Sequence, residues 1–297
     1  MKRFFITVLI LGLVLSIKAI QPYYWIGESN KTVDVLTAEV TKLLLKSDFE
    51  VLGMYHPDEN KNLGVIVFTC DELTSMATSV ADKGAFGAML KIGFIGKGKT
   101  TKISLLNPYY VTQAYFGTGT NKHEALNMTS LTDSLVKNAL KPLLTKMEYY
   151  GRDISNEELK NYQFLPTMPR YEDAIELNEF DEYLEAVASI KTNLLKGVAN
   201  SQLVYELAFH DKEITVFGVS FNGKDNPDKQ MLDLMGLDCI TSMPVEILVQ
   251  GHKAYMLSGR YRIPLFNSSL RITKIFKIMG ISSDINDRME EIAAIEE

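Results

Sequence analysis

The feature that most limits what this chain can fold into is that it repeats itself. One copy contains EVLGMYHPDE, LGVIVFT, the short helical stretch ELTSMATSV, GAMLKIGFIGKGK, KISLL and NPYY. The other contains LVYELAFHDKE, ITVFGVSF, KQMLDLMGL, MPVEILVQGHK, AYMLSGRY and IPLF, in the same order. The offset is steady, with His210 lying 154 residues after His56 and His252 lying 154 after Gly98. Two related units are therefore expected.

Periodicity gives each unit its elements. Val33, Leu36, Val40, Leu43 and Leu44 recur at helical spacing, as do Phe180, Tyr183, Leu184, Val187 and Ile190. Ala88, Leu90, Ile92 and Phe94 alternate as one face of a strand, and so do Val245, Ile247 and Val249. Closing helices are expected at Leu131 to Met147, broken or kinked at Pro142, and at Ile285 to Ile295. Each unit then reads helix, strand, strand, short helix, strand, turn, strand, helix. Strands joined by short turns pair antiparallel. The expectation is an α+β fold of two similar modules, each an antiparallel sheet with helices on one face. The divisions are a leader at 1–19, a first module at 20–148, a connector at 149–178 and a second module at 179–297. In the connector, Ser155 and Glu158 form a capping box, and Pro166 and Pro169 interrupt regular structure. Tyr162, Phe164, Leu165 and Met168 are its expected apolar anchors.

The leader is read as an address. Lys2 and Arg3 precede an uncharged run from Phe4 to Ile17, 14 residues long, and Ala19 offers a small residue for cleavage. That run suits an export signal and is short for a membrane span. A cleaved signal and a periplasmic or secreted protein are expected; the alternative is an uncleaved anchor, through which alone the chain would meet a membrane. Without Lys2, Arg3 and Lys18 the formal charge moves from −6 to −9. An acidic chain lacks the basic face that sequence-independent nucleic-acid binding needs. Its two cysteines, Cys70 and Cys239, cannot build a metal cage. In an exported protein they could pair, but each sits in an apolar run and reads equally as a buried thiol.

The helix TAEVTKLLLKSDFEVLGMYHP with LGVIVFT in the first copy, and MPVEILVQGHKAYMLSGRY with a helix ending DRMEEIAAI in the second, resemble the domain-of-unknown-function 302 family. The first copy departs from the family pattern by carrying Ala88 where a proline leads the strand. The resemblance implies a fold similar to the TATA-box-binding-protein-like class, as a tandem pair. It implies no activity, and DNA binding does not follow from it.

The motifs that could carry chemistry are few. Gly93 to Thr100 matches the phosphate-binding pattern G-x-x-x-x-G-K-[ST], but TKISLLNP follows where a helix should open, and the second copy lacks the pattern. A turn between two strands explains the same residues, and no nucleotide is expected. His56 in MYHPDE and His210 in AFHDKE occupy similar places, each beside acids. Such residues can ligate metal or transfer protons; equally, they can simply contact a neighbouring carboxylate. No serine-nucleophile motif is present. The leading expectation is a non-catalytic exported protein binding a small ligand or an envelope partner in the groove between the modules, with His56 and His210 as candidate ligand-binding residues. The alternatives are a metal- or haem-dependent enzyme or redox accessory using those histidines, and a structural assembly protein of the envelope. No cofactor is specified by the sequence.

Overall fold

The structure is a computed structural model that describes residues 19–116, 122–224, 226–267 and 270–295. The leader therefore lies, up to Lys18, outside the described residues. The first half runs β1 (Ala19–Ile20), β2 (Tyr23–Ser29), α1 (Val33–Leu45), β3 (Glu50–Tyr55), β4 (Leu63–Thr69), α2 (Asp71–Ser79), β5 (Leu90–Lys97), β6 (Thr100–Leu106), α3 (Pro108–Phe116) and α4 (Lys122–Ala139). Next come β7 (Glu148–Tyr150), β8 (Ile154–Ser155) and α5 (Asn156–Lys160). The second half runs β9 (Ile175–Glu179), α6 (Tyr183–Lys196), β10 (Ser201–Phe209), β11 (Ile214–Phe221), α7 (Pro227–Met235), β12 (Val245–Gln250), β13 (Lys253–Met256), α8 (Gly259–Phe266) and α9 (Ile275–Ile292).

The strands form a six-stranded sheet ordered β3-β4-β5-β6-β2-β7 and a five-stranded sheet ordered β10-β11-β12-β13-β9, besides a small β1-β8 pair. All neighbours are antiparallel. The α+β class is as expected. The opening strands β2 and β9 were not: Tyr23–Ser29 and Ile175–Glu179 join their sheets beside β6 and β13. The closing helices also differ. α4 ends at Ala139, before Pro142, and Pro142 sits instead in a separate single turn of 3-10 helix, Lys141–Leu143. α9 begins ten residues before the expected Ile285.

Local chemistry accounts for the boundaries. The Thr32 side chain accepts from the Val35 N–H and opens α1. Gly197, at φ +72°, closes α6 in the left-handed conformation. Ser155 accepts from the Glu158 N–H and opens α5, as the capping box predicts.

Why β4 and β11 read as unbroken apolar runs is clear from their surroundings. Every residue of both strands is buried, because both sheet faces are covered. One face of the first sheet carries α1; the other meets a 3-10 segment of the second half, Leu237–Ser242. Reciprocally, Gly84–Gly87 packs on β11 and β12. Helices α3 and α8 are tied in the same crossed manner: Tyr110 donates to the Leu265 carbonyl at 2.6 Å and Tyr261 to the Ala114 carbonyl at 3.4 Å. The connector packs into this contact. Tyr162 and Met168 are buried, and Tyr171 stacks on Tyr115 at 5.3 Å while donating to the Lys83 carbonyl.

Among the described residues, no helix is long and apolar enough to cross a membrane.

Candidate functional site

The two histidines singled out from the sequence occupy separate turns. His56, at the end of β3, donates from Nδ1 to the Leu63 carbonyl at 2.5 Å, and its Nε2 lies 3.4 Å from Asp34. His210, after β10, hydrogen-bonds Tyr183 through Nδ1 at 3.1 Å, and that hydroxyl also reaches Thr215 at 2.6 Å. The two share no hydrogen-bond partner, and strand register does not make them equivalents. Tyr55 pairs across β4 with Val65, which faces Gly93, whereas Tyr205 pairs across β11 with Gly218, which faces Glu246. Taking the β5–β6 and β12–β13 turns as matching points, with Gly98 and Gly251 both at positive φ, Gly93 corresponds to Glu246, and hence Tyr55 to Tyr205. Among the described residues, no three His, Cys, Asp or Glu side chains are grouped as a metal site. Cys70 and Cys239 are buried thiols that no disulfide joins; burial is the main cause pushing Cys70 up to about 11.

The phosphate-loop pattern folds as a hairpin. Gly98, at φ +64°, turns the chain between β5 and β6, and no helix opens until Pro108. Gly93 serves packing instead: a Cβ there would lie 2.4 Å from Ile240 of the opposing 3-10 segment.

Lys91 and Glu246 are the charges that sequence reading passed over. Each lies in an apolar strand, on the face opposite the residues that mark the core, and both are buried between the halves. Glu246 bridges two cations. Its Oε1 accepts from Lys91, and its Oε2 lies 3.2 Å from Arg262. Lys91 also donates to the Pro244 carbonyl at 3.0 Å, and Arg262 to those of Ser242 and Pro244. Burial drives the Lys91 ammonium down to about 8, against the upward pull of Glu246. Asp228 belongs to the same region. Burial raises its carboxyl to about 8; the Phe221 backbone N–H and Arg262 lower it by less, and Asp58 adds to the rise. Neither Asp228 oxygen has a donor in hydrogen-bond geometry, and the Tyr55 and Tyr205 hydroxyls are likewise unpartnered. The space left beside Lys91, Glu246 and Arg262 is about 10 Å³, enough for roughly one water. A substrate cannot enter it. At this point, where a ligand groove between the halves was expected, the contact is ionic and closed.

Open space lies elsewhere. A cavity of about 620 Å³ is walled by the first residues of the described chain, α3, α4 and the connector, within the size range of small-molecule sites. Asn107 shapes its edge, donating to the Gln21 carbonyl at 2.8 Å and accepting from the Tyr109 N–H at 3.1 Å. Tyr109 and Tyr149 supply aromatic surface, and Gln113 and Asn156 supply amides. Asp153, which is exposed, is the single charged residue lining it among the described residues. Such a wall offers amide and hydroxyl hydrogen bonds to neutral polar groups and a carboxylate to a cation, and among the described residues it has no cationic side chain for an anion. None of these residues was singled out as a binding residue from sequence. The one signal available was Gln113, a buried amide inside the otherwise apolar helix PYYVTQAYF. Neither candidate histidine lines this cavity. In comparisons with known proteins, no family model, no curated protein and no solved structure matches the chain.

Proposed function

We propose that this is a non-catalytic binding protein of the cell envelope, exported to the periplasm or beyond, which holds a small neutral or cationic molecule in the 620 Å³ cavity. The observation that carries the reading is that cavity: ligand-sized, partly aromatic, amide-rich and, among the described residues, charged only by one carboxylate. The ionic contact between the halves favours binding over catalysis, since Lys91, Glu246 and Arg262 adjoin only about 10 Å³ of free space.

The two halves are read as a duplication. The matching strand orders and the crossed tyrosine bonds support this: each acceptor lies four residues beyond the other helix's tyrosine. The relation to the domain-of-unknown-function 302 family is kept as part of the same proposal, supported by the helix and strand-pair order of each half.

The test is thermal shift and native mass spectrometry on protein from the envelope fraction. Choline, glucose and inorganic phosphate serve as probes of cationic, neutral and anionic ligands. A rise in Tm or a bound mass with choline or glucose, abolished by Leu126→Trp in the cavity wall, is expected. Binding of phosphate at this wall, or a bound mass indifferent to Leu126→Trp, overturns the assignment.

A further inference from the structure

α9 carries two apolar faces, and only one is used by the fold. Ile278, Ile281, Ile285, Met289 and Ile292 are buried. On the outside, Ile272, Phe276 and Met279 are 67%, 86% and 39% exposed. Their spacing of four and three places them on one side of the chain as it enters the helix. A phenyl ring exposed to that extent leaves most of its apolar area in water, which is unfavourable unless something covers it.

The surrounding charge says what covers it. Arg271, Lys274 and Lys277 are interleaved with the apolar residues, and no acid occurs from Leu270 to Ser283, in a chain whose net charge is −6. The carboxylates facing this segment from packed elements are accounted for. Asp233 of α7 pairs with Lys229 at 2.8 Å, and Asp284, further along α9, pairs with Arg288 at 2.8 Å. Lys274 donates to the Leu234 carbonyl at 3.3 Å, which holds this turn against the end of α7, where Leu237 is also exposed. The result is protruding bulky apolar side chains with cations beside them, next to a groove of about 410 Å³ between α7 and α9 that Lys274 and Lys277 also line. That is the composition of a helix lying in a bilayer interface: the ring enters the acyl boundary and the lysines meet head-group phosphates.

We infer that the N-terminal end of α9 docks the protein on an anionic phospholipid bilayer. This contact is independent of the leader and of the cavity assigned above.

A local readout separates it from any contact made by the leader. Trp25 is the single tryptophan, so Trp25→Phe with Phe276→Trp leaves one reporter at the docking face of the full chain. With phosphatidylglycerol vesicles, its emission moves to the blue and is quenched by brominated acyl chains. Phosphatidylcholine vesicles leave it unchanged, and added salt reverses the shift. Lys274→Gln and Lys277→Gln each weaken partitioning by about fivefold. In the tryptophan-25 background, Phe276→Ser weakens vesicle co-sedimentation attributable to this face by roughly ten- to a hundredfold. An emission spectrum unmoved by phosphatidylglycerol overturns the inference. So does an equal response to both lipids. A blue shift that grows with protein concentration in vesicle-free solution also overturns it, and assigns the face to a second copy of the chain.

Discussion

Replacing Glu246 by Gln tests the ionic contact between the halves directly. The carboxylate is 6% exposed and answers both Lys91 and Arg262. Glu246→Gln keeps the shape but removes the one negative charge that both cations contact. Breaking a buried ion pair by deleting one partner costs about 3–5 kcal/mol, a large share of the roughly 5–15 kcal/mol that holds a domain together. Arg262 cannot shed its proton. Lys91 can, since burial already holds it near 8 in the presence of Glu246. Without Glu246 it falls further, so the cost should sit at the lower end of that range and shrink as pH rises. Lys91→Met is milder, about 1.5–3 kcal/mol, because Glu246 retains Arg262. The double variant should cost less than the sum of the two, with a coupling of about 0.5–3 kcal/mol. Urea unfolding followed by circular dichroism at pH 7 reads all three. A Glu246→Gln loss under about 1 kcal/mol, or a larger loss in Lys91→Met, refutes the claim that Glu246 neutralises both cations.

Asp228 gives a pH signature. Its carboxyl is raised from 3.8 to about 8 in the folded protein, so the native state holds a proton that the unfolded chain releases. Stability is fullest below the unfolded value and is lost as pH rises toward 8, by at most about 1.4 kcal/mol per pH unit; Asp228→Asn should flatten urea midpoints measured from pH 5 to 8, and an unchanged slope counts against the assignment. Gly93→Ala puts a methyl against Ile240 and should cost about 1–3 kcal/mol, with a lowered Tm as the readout; Gly98→Ala acts on the hairpin turn alone and leaves the interface intact. Tyr110→Phe removes the donor to the buried Leu265 carbonyl and should cost about 1–3 kcal/mol in the same unfolding assay. Joint His56→Ala and His210→Ala substitution should leave the metal content of purified protein unchanged by elemental analysis; loss of a stoichiometric metal would restore the histidines as ligands.

The helices and central strands were legible because their signals are local. Val33, Leu36, Val40 and Leu44 had to share a face, and LGVIVFT and ITVFGVSF read as strands, although the expected sheets carried helices on one face only and the structure covers both. The capping box at Ser155 and the turn at Gly98 were legible for the same reason: each is satisfied within a few residues. β2 and β9 were not, since YYWIGES and IELNE are recruited by partners far along the chain, β6 and β13, and pairing of that kind leaves little local trace.

The site depended on tertiary structure throughout. Alternation along β5 puts Lys91 opposite Leu90 and Ile92, and an isolated sheet would have turned that face to water. Only the arrival of the second half buries it, and once buried an ammonium needs Glu246, 155 residues away, to remain. The cavity has the same character. Asn107, Gln113, Tyr149 and Asp153 come from a strand end, a helix and the connector, and no spacing links them. Sequence fixed by itself what short-range periodicity can encode, namely the class of fold and most of its elements. The ionic contact and the ligand-sized space were decided by which faces the chain's long-range packing brought together.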